Sequence, residues 1–104
     1  SRVCSGAGSG VTDYGGSKAA IVNFTKSIAK PLGAHGIRVV GVSPGTINTA
    51  MGEAVPAEIR NKLIASSALQ RAADPEEIAS VIAWMVSPGA GYVTGATLDV
   101  NGGL

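Results

Sequence analysis

The chain has 104 residues and a formal net charge of +1, which allows at most one domain. A balance this close to neutral leaves no electrostatic footprint for nucleic acid or for an anionic membrane surface. Apolar residues make up 45% and charged residues 14%, with 15 glycines and few aromatics, a mix that suits closely packed α/β layers.

Residues 1–4 read as the tail of a strand, and residues 5–11, rich in glycine and serine, as a loop. Cys4 is the single cysteine, so an internal disulfide is excluded. It fits a reducing, cytoplasmic compartment and reads as a small apolar filler. Thr12 or Asp13 can cap the helix that follows, because either side chain accepts from the orphan N–H groups of a first turn. That helix is expected over residues 13–32, with Ile21, Phe24, Ile28 and Leu32 as its core stripe. Gly15 and Gly16 are poor helix formers, at up to about 1 kcal/mol each relative to Ala, which points to something approaching the backbone closely there. Pro31 removes a donor and clashes one turn back, predicting a kink or an early last turn. Gly33 and Gly36 then stop the helix, and His35 beside them is favourably placed at a helix C-terminus.

Residues 38–42 form a short apolar run between turn signals and read as a buried parallel strand that Pro44-Gly45 breaks. Residues 51–56 read as a loop, and residues 57–66 as a helix with Ile59, Leu63 and Ile64 on its apolar face. Asp74-Pro75-Glu76-Glu77 opens the next helix with a cap residue, a proline at the first position and an acidic first turn. Ile78, Val81, Ile82 and Met85 make its inner stripe, and Pro88-Gly89 ends it. Residues 96–100 are a final short strand before a glycine tail. Strands alternating with helices imply a parallel sheet with right-handed crossovers. No apolar run approaches the roughly 20 residues of a membrane span, and no metal-ligand spacing is present.

The chemistry lies in Tyr14-Gly15-Gly16-Ser17-Lys18. On a helix, residues four apart share a face one turn apart, so a phenol and an ammonium are brought together. A free phenol has a pKa of roughly 10. A neighbouring cation stabilises the phenolate and brings the group towards the range where acid–base work is efficient. Ser1, thirteen positions before Tyr14, adds a hydroxyl that could polarise a carbonyl, with Ser5 and Ser9 as alternatives. By spacing alone, a helix-surface tyrosine and a solvated lysine explain the pair better than catalysis does.

These residues resemble the Tyr-x-x-x-Lys active site of the short-chain dehydrogenases/reductases, with Ser1 at the spacing of that family's catalytic serine. Ser43-Pro44-Gly45-Thr46-Ile47-Asn48-Thr49 is similar to the family's Pro-Gly-x-Ile-x-Thr loop. Tyr92-Val93-Thr94-Gly95 and Asp99-Val100-Asn101-Gly102-Gly103 resemble its C-terminal motifs, in a 3-oxoacyl reductase-like flavour. The resemblance implies an oxidoreductase acting on a small carbonyl or alcohol with NAD or NADP. Ser1 would orient the carbonyl, Tyr14 would exchange the proton, and Lys18 would support the phenolate and hold the nicotinamide ribose. Pro44 and Gly45 would shape the turn beneath the backbone of Ile47 and the hydroxyl of Thr49, which would hold the carboxamide and the neighbouring phosphate. Residues 51–69 would form a substrate lid, made apolar by Met51, Val55, Leu63 and Ile64. Trp84 falls off the stripe of its helix. Family members pair through that helix and the last strand, so the resemblance implies a homo-oligomer.

The dinucleotide fingerprint G-x-G-x-x-G is not found; Gly6-Ala7-Gly8-Ser9-Gly10 precedes the Tyr14 helix rather than opening a strand–turn–helix unit. The expectation is therefore an α/β fold that is the C-terminal half of a Rossmann-like doubly wound parallel sheet, with about three strands and three helices. Residues 1–104 would be a single partial domain. Its edges and apolar faces would be open, and the isolated chain would not behave as a monomer. The alternative is a catalytically incompetent, self-associating fragment. A flavodoxin-like binding module explains neither the tyrosine–lysine pair nor the C-terminal motif.

Overall fold

A computed structural model describes the backbone of residues 12–104 and the side chains of residues 16–104. Ser1, Cys4 and the expected first strand lie outside the described residues. Among those described, the order is helix α1 (Thr12–Gly33), strand β1 (Gly41–Pro44), helix α2 (Ala50–Glu53), helix α3 (Ala57–Ser66), helix α4 (Pro75–Met85), a 3₁₀ turn (Pro88–Ala90) and strand β2 (Thr97–Val100). The fold is α/β, with β1 and β2 paired in parallel from Gly41 opposite Thr97 to Pro44 opposite Val100.

Helix α1 runs through Pro31 to Gly33, so it does not end early. Proline there removes one donor in the last turn, where little of the helix remains to be broken. Gly36 closes the end at φ +73°, a left-handed conformation that suits glycine. The Gly36 N–H donates to Gly33 O at 3.0 Å and the Ile37 N–H to Leu32 O at 3.2 Å, the paired bonds of a Schellman stop.

The expected core stripe of α1 is corrected. Ile21 is 56% exposed and Phe24 62%, while Ile28 and Leu32 are half-buried; the residues that face inward are Thr25 and Ala29. The reason is the neighbour. Gly95 lies against this face, and a Cβ built on it would stand 3.2 Å from Ala29 Cβ. A backbone this near admits only small side chains, and the Thr25 hydroxyl satisfies itself by donating to Ile21 O at 2.8 Å. Ile21 and Phe24 are left largely exposed.

Strand β1 is displaced from the expected 38–42 to 41–44. Val39, before the strand, is bonded to the 94–95 segment partly through a side chain: Val39 N–H donates to Thr94 Oγ1 at 3.0 Å, and Gly95 N–H to Val39 O at 2.7 Å. Pro44 ends the strand rather than breaking it. Gly41 N–H donates to Ala96 O and Gly45 N–H to Val100 O, so alternate residues face β2. Pro44, which has no N–H, falls on the other edge, where β2 asks nothing of it.

The expected loop at 51–56 contains a short helix, α2, because Thr49 caps it: Thr49 Oγ1 accepts from Gly52 N–H at 3.1 Å. Helix α3 spans the residues anticipated, with Ile59 exposed and Leu63 and Ile64 half-buried. Helix α4 begins at Pro75 as expected. Its inner stripe is Ile78 and Met85, both buried, with Val81 half-buried and Ile82 turned largely outward. Arg38 closes its far end, donating to Met85 O at 2.7 Å, Ser87 O at 3.2 Å and Val93 O at 3.2 Å. A cation at the last carbonyls of a helix also complements the helix dipole.

Candidate active site

Tyr14 and Lys18 both lie in the helical backbone of α1, which places them one turn apart on one face. Lys18 is half-buried; the Tyr14 side chain, like Ser1, falls outside the described residues. The sequence-derived residues Pro44, Gly45, Ile47 and Thr49 come together in one turn at the C-terminal end of β1, the end at which parallel sheets place their ligands.

Gly45 is required by that turn: a Cβ there would meet Asn101 Cα at 2.8 Å, so the final strand's exit lies directly against it. The turn then runs beside Ala73 as an isolated parallel bridge through Ile47. Ala73 N–H donates to Thr46 O and Asn48 N–H to Ala73 O, both at 2.9 Å. In an extended segment the groups alternate, so the Ile47 N–H faces the side opposite Ala73. Ile47 O accepts from Thr49 N–H at 2.9 Å. The Thr49 oxygen accepts from Gly52 N–H at 3.1 Å, and its hydroxyl proton remains a donor. An outward backbone N–H and a threonine hydroxyl donor on one turn can donate to the oxygens of a ligand.

Three polar residues beside this turn carry roles that the sequence did not reveal. Asn48 Nδ2 donates to Asp74 Oδ1 at 3.2 Å, and Arg60 donates through its guanidinium to Asn48 Oδ1. The partners are 26 and 12 residues apart in sequence, so no local spacing signals them. Asn48 stood inside the recognised motif, but at a position that the motif leaves open.

Asp74, Glu76 and Glu77 serve the start of α4. Asp74 N–H donates to Glu77 Oε2 at 2.9 Å, and Arg71 grips both Glu77 oxygens at 2.8 and 2.7 Å. The Arg71 bonds, followed by the Asp74 N–H, hold the Glu77 carboxyl down at about 2, and the same pair raises Arg71. Within the expected lid, Met51 is 80% exposed and Leu63 and Ile64 are half-buried. Among the described residues no three His, Cys, Asp or Glu side chains gather into a metal-binding group, and no helix is long and apolar enough to cross a membrane.

The C-terminal motifs have a structural reading. Thr94 and Gly95 start the pairing with Val39. Asn101 Oδ1 accepts from Gly103 N–H at 3.0 Å and Leu104 N–H at 3.2 Å. Gly102 O and Gly103 O accept from Leu69 N–H at 2.9 Å and Ala68 N–H at 3.3 Å, tying the tail to the end of α3.

A family model described as "Enoyl-(Acyl carrier protein) reductase" matches residues 2–104. The chain is 42% identical over 95 residues to the (3R)-3-hydroxyacyl-CoA dehydrogenase of Mus musculus, covering 91% of this chain and 37% of that protein. Among solved structures, a 3-oxoacyl-[acyl-carrier protein] reductase with bound NAD from Brucella melitensis superposes with a TM-score of 0.86 at 35% identity, over 100% of this chain and 38% of that one. A short-chain dehydrogenase/reductase of Brucella melitensis gives a TM-score of 0.86 at 40% identity, over 98% and 41%. The chain thus spans well under half the length of the relatives it matches. With the family model matched almost end to end and these Rossmann-like neighbours superposing closely, the chain belongs to the short-chain dehydrogenase/reductase family.

Proposed function

We propose that this chain carries the proton-transfer site and nicotinamide turn of an NAD- or NADP-dependent enzyme that reduces a small carbonyl compound or oxidises a secondary alcohol. In that reading residues 1–104 are the C-terminal half of a doubly wound sheet. The observation that carries it is the pairing of two features: Tyr14 and Lys18 one turn apart on α1, and a turn leaving β1 with the Ile47 N–H directed away from Ala73. Ser1 orients the carbonyl by donating to its oxygen. Tyr14 gives its proton to that oxygen in reduction, or takes one from the alcohol in the reverse direction. The Lys18 ammonium favours the phenolate by charge and holds the ribose hydroxyls. Pro44 and Gly45 set the turn, the Ile47 backbone and Thr49 hydroxyl hold the nicotinamide end, and the bound nicotinamide supplies or accepts the hydride.

Titration of the chain with NADH or NADPH, read by Trp84 fluorescence and by melting, tests the cofactor half. Saturable binding that Lys18→Met weakens is expected; no binding at millimolar cofactor would favour the half-domain without turnover. In protein containing both halves of the fold, Tyr14→Phe is expected to lower kcat by at least about 100-fold while sparing cofactor binding. Retained turnover would remove Tyr14 from the role.

The runner-up reading is a self-associating half-domain without turnover. It is favoured by the large apolar side chains left outward, Ile21, Phe24, Trp84 and Tyr92 among them. Self-association also serves the enzyme reading, as a homo-oligomer of a cytoplasmic protein. Light scattering that returns the mass of one chain, with a sharp melt, would exclude it.

A further inference from the structure

We propose that Asn48 is a donor–acceptor adapter that locks helix α3 to the turn at residues 44–49, with Arg60 a positioning residue for that turn. Arg60 carries only donors and the Asp74 carboxylate only accepts, so a side chain lying between them must accept at one end and donate at the other. A primary amide does both. Asn48 Oδ1 accepts from the Arg60 guanidinium and its Nδ2 donates to Asp74 Oδ1 at 3.2 Å, which fixes the orientation of the amide. Its backbone N–H is bonded to Ala73 O at 2.9 Å, so one residue is fastened to the 73–74 segment twice and to α3 once.

Arg60 strengthens the case. It is half-buried in the middle of α3, and its Nε is buried with no hydrogen-bond partner. A buried donor left unmade is costly, and one terminal nitrogen of the same guanidinium, Nη2, is bonded. The engagement is with Asn48, on another element. Asp74 in turn starts α4, where Glu77 and Arg71 fasten its backbone. Exposed polar bonds therefore tie the turn, α3 and the first turn of α4 to one another. The consequence for function rests on the reductase reading: the turn holds the nicotinamide end, α3 belongs to the substrate lid, and the lock makes the lid follow the cofactor.

The test transposes the adapter. Asn48→Asp keeps an acceptor for Arg60 but sets two carboxylates face to face. Asp74→Asn alone keeps an acceptor for Asn48 and a good N-cap for α4. The double variant supplies a donor at position 74 for the carboxylate at position 48. Amide hydrogen exchange on the whole chain, without cofactor, is the readout. Asn48→Asp is expected to lower protection roughly tenfold in both the turn and α3, Asp74→Asn to change little, and the double variant to recover both elements.

A double variant no better than Asn48→Asp overturns the lock, as does a loss confined to one element, because lost packing alone would not be rescued by exchanging two polar groups. Should Asn48→Asp unfold the chain, the double variant still decides: regained folding supports the lock and continued unfolding overturns it. Retained turnover by Tyr14→Phe in protein containing both halves of the fold would sink the reductase reading and leave the exchange result standing.

Discussion

Helix α1 and the segment from residue 44 to residue 77 are held in place by different physics. The inner face of α1 is positioned by what is small. Ala29 lets the backbone at Gly95 come close, and the large side chains Ile21 and Phe24 are left largely exposed. A shallow hollow lined by Ala19, Ala20, Asn23, Phe24 and Ser27 runs along that outer side. The later segment is positioned by directed bonds between polar groups: Thr49 to Gly52, Asn48 to Arg60 and Asp74, Glu77 to Arg71. Close packing of small groups fixes distance and punishes any added atom. Polar bonds fix orientation and punish an unmatched partner.

The largest expected effect is at the small-residue contact. Gly95 has φ +70° and its absent Cβ would press on Ala29. Gly95→Val adds left-handed strain and overpacking together, and is expected to destabilise by about 3 kcal/mol or more in chemical denaturation. A loss under about 1 kcal/mol would mean that α1 can slide away and that the contact is loose. Next is Arg38, whose guanidinium gathers three backbone carbonyls at the end of α4. Arg38→Met keeps the aliphatic stem and strands those oxygens, for an expected loss of about 2 kcal/mol. Hydrogen exchange should localise the loosening to residues 82–94. A loss spread evenly over the chain would show that this polar contact supports the core and not one element.

The residues outside these contacts show how far sequence reasoning reaches. The start of α4 was legible because its signals are local: cap, proline and acidic turn occupy four consecutive positions. The turn at 44–49 was legible as a motif, and the structure explains its glycine by the nearness of Asn101. The burial of α1 was misread because periodicity finds an apolar stripe without saying which surface covers it; Ile21 and Phe24 have the right spacing and stay largely exposed. β1 was misplaced by three residues because part of its pairing runs through the Thr94 hydroxyl, which a hydrophobic pattern does not register. The Asn48 bonds were invisible because their partners are brought close only by the fold.

The outer face of α1 gives a smaller effect of opposite kind. Phe24→Ser replaces a side chain that is 62% exposed, so the stability of a single folded chain is expected to change by no more than about 0.5 kcal/mol. If this face meets a second copy, sedimentation or light scattering should show weaker association than for the wild-type chain, with the melt of the dilute protein unchanged. A large loss of intrinsic stability would instead mean that Phe24 packs within the chain, and the contrast between the two faces of α1 would disappear.

The smallest effect belongs to the Arg71–Glu77 pair, and it measures how much the exposed end of the polar segment contributes. Both side chains are about half exposed, so water and salt screen their attraction. Arg71, and after it the Asp74 N–H, lowers the Glu77 carboxyl from 4.5 to about 2. A carboxyl with a depressed folded value is protonated more readily in the unfolded chain. Its stabilisation is complete above about 4.5 and is lost as pH falls towards 2. Glu77→Gln keeps an oxygen for the Asp74 N–H and removes the charge. Wild type should therefore melt slightly higher than Glu77→Gln at neutral pH, and the gap should close across that acid window and shrink with added salt. Other carboxylates titrate in both proteins, so the difference between the two curves isolates Glu77. A gap that stays constant down to pH 2 would mean that shape and not charge holds the first turn of α4, so that even the polar half of the molecule is fixed, at its edge, by packing.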